Sequence, residues 1–218
     1  MILFNNILEF LSLGGPVVII LLMLSCVALT IMILKTAQFM RCKIGSSKDI
    51  DEALLRWFNG DFEGAIVELT NKKSAASIIV KEAMQKKYNK SGSRAEIEAS
   101  LMSTAKSEFH NLQRGFKTLD AMAQVAPLIG LFGTVIGMIE AFQTLQNAGR
   151  AVDPSQLAGG IWVALLTTAV GLAVAIPVSL FVTWLETKVE SERIIIEVST
   201  EAILKQRKPP AKASKDVQ

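Results

Sequence analysis

The sequence predicts an all-α integral membrane protein with three transmembrane helices. Three observations carry that reading. Half of the 218 residues are hydrophobic and a fifth are charged, too apolar for an average soluble domain and too charged for a chain made only of membrane spans. The apolar stretches 11–34, 121–142 and 157–185 each supply the ~20 helical residues needed to cross a ~30 Å hydrocarbon core. The basic residues are segregated: of 23 Lys and Arg, fifteen lie between Lys35 and Lys117, seven lie from Lys188 to Lys215, one (Arg150) lies between the last two stretches, and none precedes the first. The positive-inside rule then puts the N-terminus and the 143–156 loop outside, and the large 35–120 region and the tail in the cytoplasm.

Each element has its own justification. In residues 1–10, Phe4, Ile7 and Leu8 share a face with Leu11, as in an amphipathic segment lying on the outer membrane surface, and Gly14-Gly15-Pro16 turns the chain into the first span. Span 11–34 has no charged residue. It is too long for a signal core, no Lys or Arg precedes it, and no small-residue cleavage site follows. The 35–120 region reads as a helical domain. Ser46-Ser47-Lys48-Asp49 offers caps for a helix carrying Leu54, Trp57 and Phe58; Asn59-Gly60-Asp61 is a turn; Phe62, Ala65, Ile66 and Leu69 mark a second short helix; and Ser74 opens a third that ends near Tyr88.

After the polar break 89–93, the apolar recurrence of Met102, Phe109, Leu112, Phe116 and Leu119 predicts one helix running from Arg94 to Phe142 through Gly115 and Pro127. Beyond the third span, helix is expected from 186 to about Gln206. There Pro209-Pro210 ends it, and the final residues have the composition of a disordered tail. Spans two and three thus extend into a cytoplasmic helical bundle.

Several function classes are excluded. The basic residues of 35–120 are interleaved with eleven acids and form no basic stripe bearing aromatics, so no nucleic-acid partner is expected. Cys26 and Cys42 form no CxxC pair and read as unpaired structural thiols, so no metal or cofactor is expected. The spans hold no Ser/His or paired-Asp arrangement, and the lone His110 lies outside them, which argues against an intramembrane enzyme.

The second and third spans carry two stripes of small residues. Gly130, Gly133, Thr134, Gly137 and Ala141 form one; Ala164, Thr168, Gly171, Ala175 and Ser179 form the other. Gly133-x-x-x-Gly137 is a helix-contact pattern. Such stripes permit close helix packing, and they also present a smooth face to a partner. Thr134 and Thr168 are either satisfied on carbonyls of their own helix or line a narrow wet path. Glu140 is the acid of the second span. It is a functional candidate by its position, and it is also near enough to the outer interface to be solvated. Pro127 and Pro177 are expected kinks. Trp162 and Trp184 read as interfacial anchors.

Ala126-Pro127-Leu128-Ile129-Gly130-Leu131-Phe132-Gly133-Thr134-Val135-Ile136-Gly137-Met138-Ile139-Glu140-Ala141-Phe142, followed by Gly160-Ile161-Trp162-Val163-Ala164-Leu165-Leu166-Thr167-Thr168-Ala169-Val170-Gly171-Leu172-Ala173-Val174-Ala175-Ile176-Pro177, closely resembles the MotA/TolQ/ExbB proton-channel family. Length, span count and the large first cytoplasmic loop resemble its ExbB/TolQ branch. The resemblance implies a homopentameric ring in a bacterial inner membrane, around two copies of a single-span ExbD/TolR-like partner whose membrane aspartate carries the proton. It also implies work done on the envelope through a TonB- or TolA-like protein, with TonB-type uptake as the leading expectation and Tol-type or motility roles open. Thr134 and Thr168 match the family's pore threonines, and Thr167 adds a second hydroxyl.

One position departs from the pattern. The ExbB/TolQ motif usually has a glutamate in its GI-x-E-A-L segment where this chain has Val163. Either Glu140 covers part of that role or the partner's aspartate acts alone, and the coupling ion, H⁺ or Na⁺, stays open. The alternative expectation is a non-conducting membrane scaffold that organises partner proteins.

Overall fold

The structure is a computed structural model that describes the backbone of residues 2–148 and 154–205, and the side chains of 15–147, 155 and 157–205. The shared face expected within residues 1–10, Arg150 of the expected outer loop, and the tail with Pro209-Pro210 lie outside the described side chains. The described residues form seven helices and no strand: α1 (Ile2–Cys42), α2 (Lys48–Phe58), α3 (Phe62–Thr70), α4 (Ala75–Tyr88), α5 (Arg94–Leu112), α6 (Phe116–Ala148) and α7 (Pro154–Lys205). Stretches of α1, α6 and α7 are long and apolar enough to cross a membrane.

The described residues divide into two compact units, one formed within 2–35 and 115–183, the other by 36–114 and 184–205. In the first unit, Gly15 breaks the helical path of α1 with φ 63° and ψ −167° just before Pro16, a conformation that costs glycine little. Val17 and Leu21 of α1 then pack with Ala126 of α6 and with Val174 and Ala175 of α7, backed by Leu24, Ile129 and Val170. Pro127 and Pro177 lie inside α6 and α7, where each removes one backbone hydrogen bond.

The second unit is built from short, capped helices. Asp61 Oδ1 accepts the Gly64 N–H at 2.9 Å and Ser74 Oγ accepts the Ser77 N–H at 3.0 Å, satisfying donors that open α3 and α4. Ser93 and Glu96 form a reciprocal capping box at the start of α5. Ile50, Trp57, Leu69, Ile79, Met84 and Leu101 fill the centre of this unit, and Trp57 meets Phe62 edge-on at 4.8 Å.

The single helix expected from Arg94 to Phe142 is two helices. α5 ends at Leu112, Gly115 takes φ 89°, and α6 starts at Phe116. Left-handed backbone at Gly115 ends α5, a conformation that only glycine adopts without a steric cost. α6 also runs past Phe142 to Ala148 and α7 begins at Pro154, so both extend into the stretch expected as a loop.

Candidate functional site: the seam between α6 and α7

Most of the singled-out small residues meet along one line inside the first unit. The two helices approach so closely that a methyl group has no room. A Cβ on Gly130 would lie 2.8 Å from the Thr167 carbonyl oxygen, one on Gly171 2.7 Å from the Ala126 carbonyl oxygen, and one on Gly137 2.9 Å from the Ala164 Cβ. A Cβ on Gly133 would meet Thr167 Oγ1 at 2.6 Å and a Val17 methyl at 2.8 Å. Ala141 and Ala164 are buried on the same line. A Cβ on Gly160, which belongs to neither predicted stripe, would lie 2.9 Å from the Ala141 Cβ. Ala175 is buried in the adjoining apolar core with Val17 and Leu21. Without a hydrophobic driving force between helices in lipid, contact of this kind is what holds membrane helices together.

Two hydroxyls sit on α7 at the seam. Thr167 is only 3% exposed. Its Oγ1 lies 2.9 Å from the carbonyl oxygen of Gly130 on α6 and 2.7 Å from that of Ala164 on α7. Thr168 is half-buried, its backbone 3.0 Å from the position of a Gly130 Cβ. Its Oγ1 is buried and has no hydrogen-bond partner among the described residues. A buried unpaired hydroxyl costs about 1–3 kcal/mol, so a polar group brought to this place would relieve that cost.

Thr134 and Glu140 are placed differently. The Thr134 hydroxyl donates to the Leu131 carbonyl at 2.6 Å. The residue lines an open groove on α6 with Val135, Met138, Ile139, Phe142, Gln143 and Gln146. Thr134 thus sits at the edge of the glycine stripe, turned toward the exposed apolar face of the helix. Glu140 is exposed, toward the end of α6. Val163 is half-buried on α7.

The second unit contains an acid that the sequence motifs do not single out. Glu192 is 0% exposed. One carboxylate oxygen accepts the Gly45 N–H at 2.6 Å, the other accepts the Ala76 N–H in the first turn of α4 at 2.8 Å, and the Ser74 hydroxyl contributes. Among the described residues no cation pairs with it. Burial pushes its pKa above the ordinary value, and the two backbone N–H groups and Ser74 offset only part of that. A signal is present in the spacing. Leu185, Val189, Glu192, Ile196, Ser199 and Ile203 recur every three or four residues and are all buried, so the acid stands in the core stripe of α7.

Two other acids of this unit are conventionally paired. Asp49 is held low by its hydrogen bond from Lys72 at 3.0 Å, with Lys43 adding charge. At Glu82, burial raises the pKa but is outweighed by Lys86, Thr104 and Ser100 together.

Close glycine packing between long apolar helices is the contact expected of a multi-span membrane protein. Comparison with known proteins names the class. Residues 71–198, more than half of the chain, match the MotA/TolQ/ExbB proton channel family, and the chain belongs to that family, in its ExbB/TolQ-like branch. It is similar to a putative biopolymer transport protein ExbB homolog of Methanothermobacter thermautotrophicus, 36% identical over 62% of this chain and 46% of the relative. It is also similar to a putative biopolymer transport protein ExbB-like 3 of Synechocystis, 27% identical over 77% and 79%, and to the Tol-Pal system protein TolQ of Haemophilus influenzae, 44% identical over 32% and 30%. The match to the archaeal relative spans less than half of that protein's length.

Proposed function

We propose that this chain is the ring-forming subunit of an ion-driven motor in a bacterial inner membrane. Five copies surround two copies of an ExbD/TolR-like single-span partner, and ion flow down the proton motive force moves the partner to do work on the cell envelope, most directly TonB-type uptake. The 36–114 and 184–205 unit then forms the cytoplasmic bundle, the side favoured by the distribution of Lys and Arg. Thr168, Thr134 and Glu140 are assigned to the ion path, and the glycine seam holds the helix pair that presents them. The observation that carries this reading is the buried Thr168 hydroxyl without a partner. A hydroxyl offers both a donor and an acceptor without a fixed charge, which suits a relay completed by a partner's carboxyl group.

The test is ion flux in proteoliposomes that hold the chain together with an ExbD/TolR-like protein from the same organism. Thr168→Val, matched in shape, is expected to abolish partner-dependent flux while leaving assembly intact. Full flux in that variant contradicts the assignment. A non-conducting scaffold is the second reading, and one observation favours it: an apolar Val163 stands where the motif usually has a glutamate. Under that reading neither Thr168 nor any membrane aspartate in the partner affects function.

A further inference from the structure

We infer that Thr167 is not a conduit residue but the positioning residue that keeps the Thr168 hydroxyl available, a role that rests on the proposed ion path. The physical cause is competition for one carbonyl group.

A threonine in a membrane helix ordinarily satisfies its hydroxyl on a carbonyl three or four residues back. Thr134, Thr30 and Thr183 all do so, on Leu131, Cys26 and Ser179. For Thr168 the carbonyl four residues back is that of Ala164. In an α-helix this oxygen already takes the Thr168 N–H, which uses one of its two lone pairs. The Thr167 hydroxyl lies 2.7 Å from the same oxygen and, sharing its one proton between this carbonyl and that of Gly130 at 2.9 Å, competes for the other. Of the two carbonyls Thr168 ordinarily uses, the one four residues back is therefore contested; its Oγ1 makes no bond to the one three residues back either, and is buried and unpartnered.

A second contact holds Thr167 in that role. Its hydroxyl also lies 2.9 Å from the Gly130 carbonyl across the seam, and Gly133 leaves only enough room for it, since a Cβ there would come within 2.6 Å. Adjacent helical residues point ~100° apart. With Thr167 held against α6, the Thr168 side chain is directed to the flank of the seam. Two neighbouring threonines thus have opposite tasks: one hydroxyl is spent on the fold so that the next stays uncommitted.

Three variants and two readouts test this. Thr167→Val keeps the shape and removes the hydroxyl, which frees the Ala164 carbonyl for Thr168. Thr167→Ser keeps the hydroxyl. In proteoliposomes with an ExbD/TolR-like partner, Thr167→Val is expected to assemble normally yet lose flux about tenfold or more, the equivalent of one hydrogen bond. Thr167→Ser is expected to retain flux, and Thr167→Val in a Thr168→Val background to add no further loss. Solid-state NMR of ¹³C-threonine-labelled protein gives the second readout: the Thr168 Cβ and Cγ2 shifts, which follow χ1, should move in Thr167→Val and stay in Thr167→Ser. Wild-type flux in Thr167→Val alongside lost flux in Thr168→Val overturns the inference. If Thr168→Val itself keeps full flux, the ion path is wrong, and the NMR shifts still decide: an unmoved Thr168 in Thr167→Val overturns the positioning role.

Discussion

At the scale of single residues, Glu192 has the clearest physical consequence. A fully buried carboxylate held by two backbone N–H groups and no cation is costly when ionised. Its folded pKa lies above the ordinary 4.5, so the native state binds its proton more tightly than the unfolded chain. The stability it contributes is fully present below about pH 4.5 and is lost as pH rises through the folded value. Asp49 and Glu82 act in the opposite direction, because their pKa values are lowered. The test is therefore a difference: the thermal midpoint of Glu192→Gln, measured from below about pH 4.5 to about pH 8, should rise steadily relative to wild type. A difference that stays constant from below about pH 4.5 upward would show that the Glu192 pKa is the same in the folded and unfolded states.

At the same scale, some side chains were easy to place from the sequence and others hard. The glycines of the seam were legible because spacings of three and four put them on one face. Glu192 was not, since it lies in the charged run from Glu186 to Arg193 and only the apolar stripe through Val189 and Ile196 distinguishes it. Thr167 and Thr168 are adjacent and chemically identical. No pattern in the chain tells which hydroxyl is bonded across the seam, because that depends on the rotation of α7 against α6.

At the scale of elements, the seam makes sharp demands on Gly133 and Gly171. Alanine at either position would place a Cβ 2.6 Å from Thr167 Oγ1 or 2.7 Å from the Ala126 carbonyl oxygen. Gly171→Ala meets backbone, which cannot rotate away, and is expected to lower stability by about 1–3 kcal/mol through overpacking. At Gly159, on the same helix, an added methyl would have nothing within 4 Å, so Gly159→Ala is expected to be neutral or to stabilise by up to about 1 kcal/mol. Thermal unfolding of the detergent-solubilised chain reads both. Equal effects at the two sites would mean that the helices are not in close contact.

The junction between α5 and α6 is the second element-scale case. Gly115→Ala forces a side chain into φ 89° and should cost about 1–2 kcal/mol. An unchanged midpoint would mean that the helix runs straight through, as the apolar recurrence alone suggests. That recurrence continues across the break because both helices bury a face, so periodicity could not reveal it. A glycine inside a helical pattern is ambiguous until its φ is known.

At the scale of the whole molecule, three apolar helices and the family membership follow from the spans and their motifs, and both were legible in the sequence. Copy number was not, since it depends on surfaces that a single chain leaves open. Leu128, Leu131, Phe132, Val135 and Ile139 are exposed along α6, on a face suited either to lipid or to another subunit. A ring of copies would cover part of it, and the unpartnered Thr168 hydroxyl would then meet a helix supplied by a different protein.

The most direct measurement is native mass spectrometry of the chain in mild detergent, purified alone and after co-expression with an ExbD/TolR-like partner. Five copies alone, becoming five plus two with the partner, is the expected result. A monomer or dimer whose mass does not change with the partner would contradict the motor assignment and favour the scaffold.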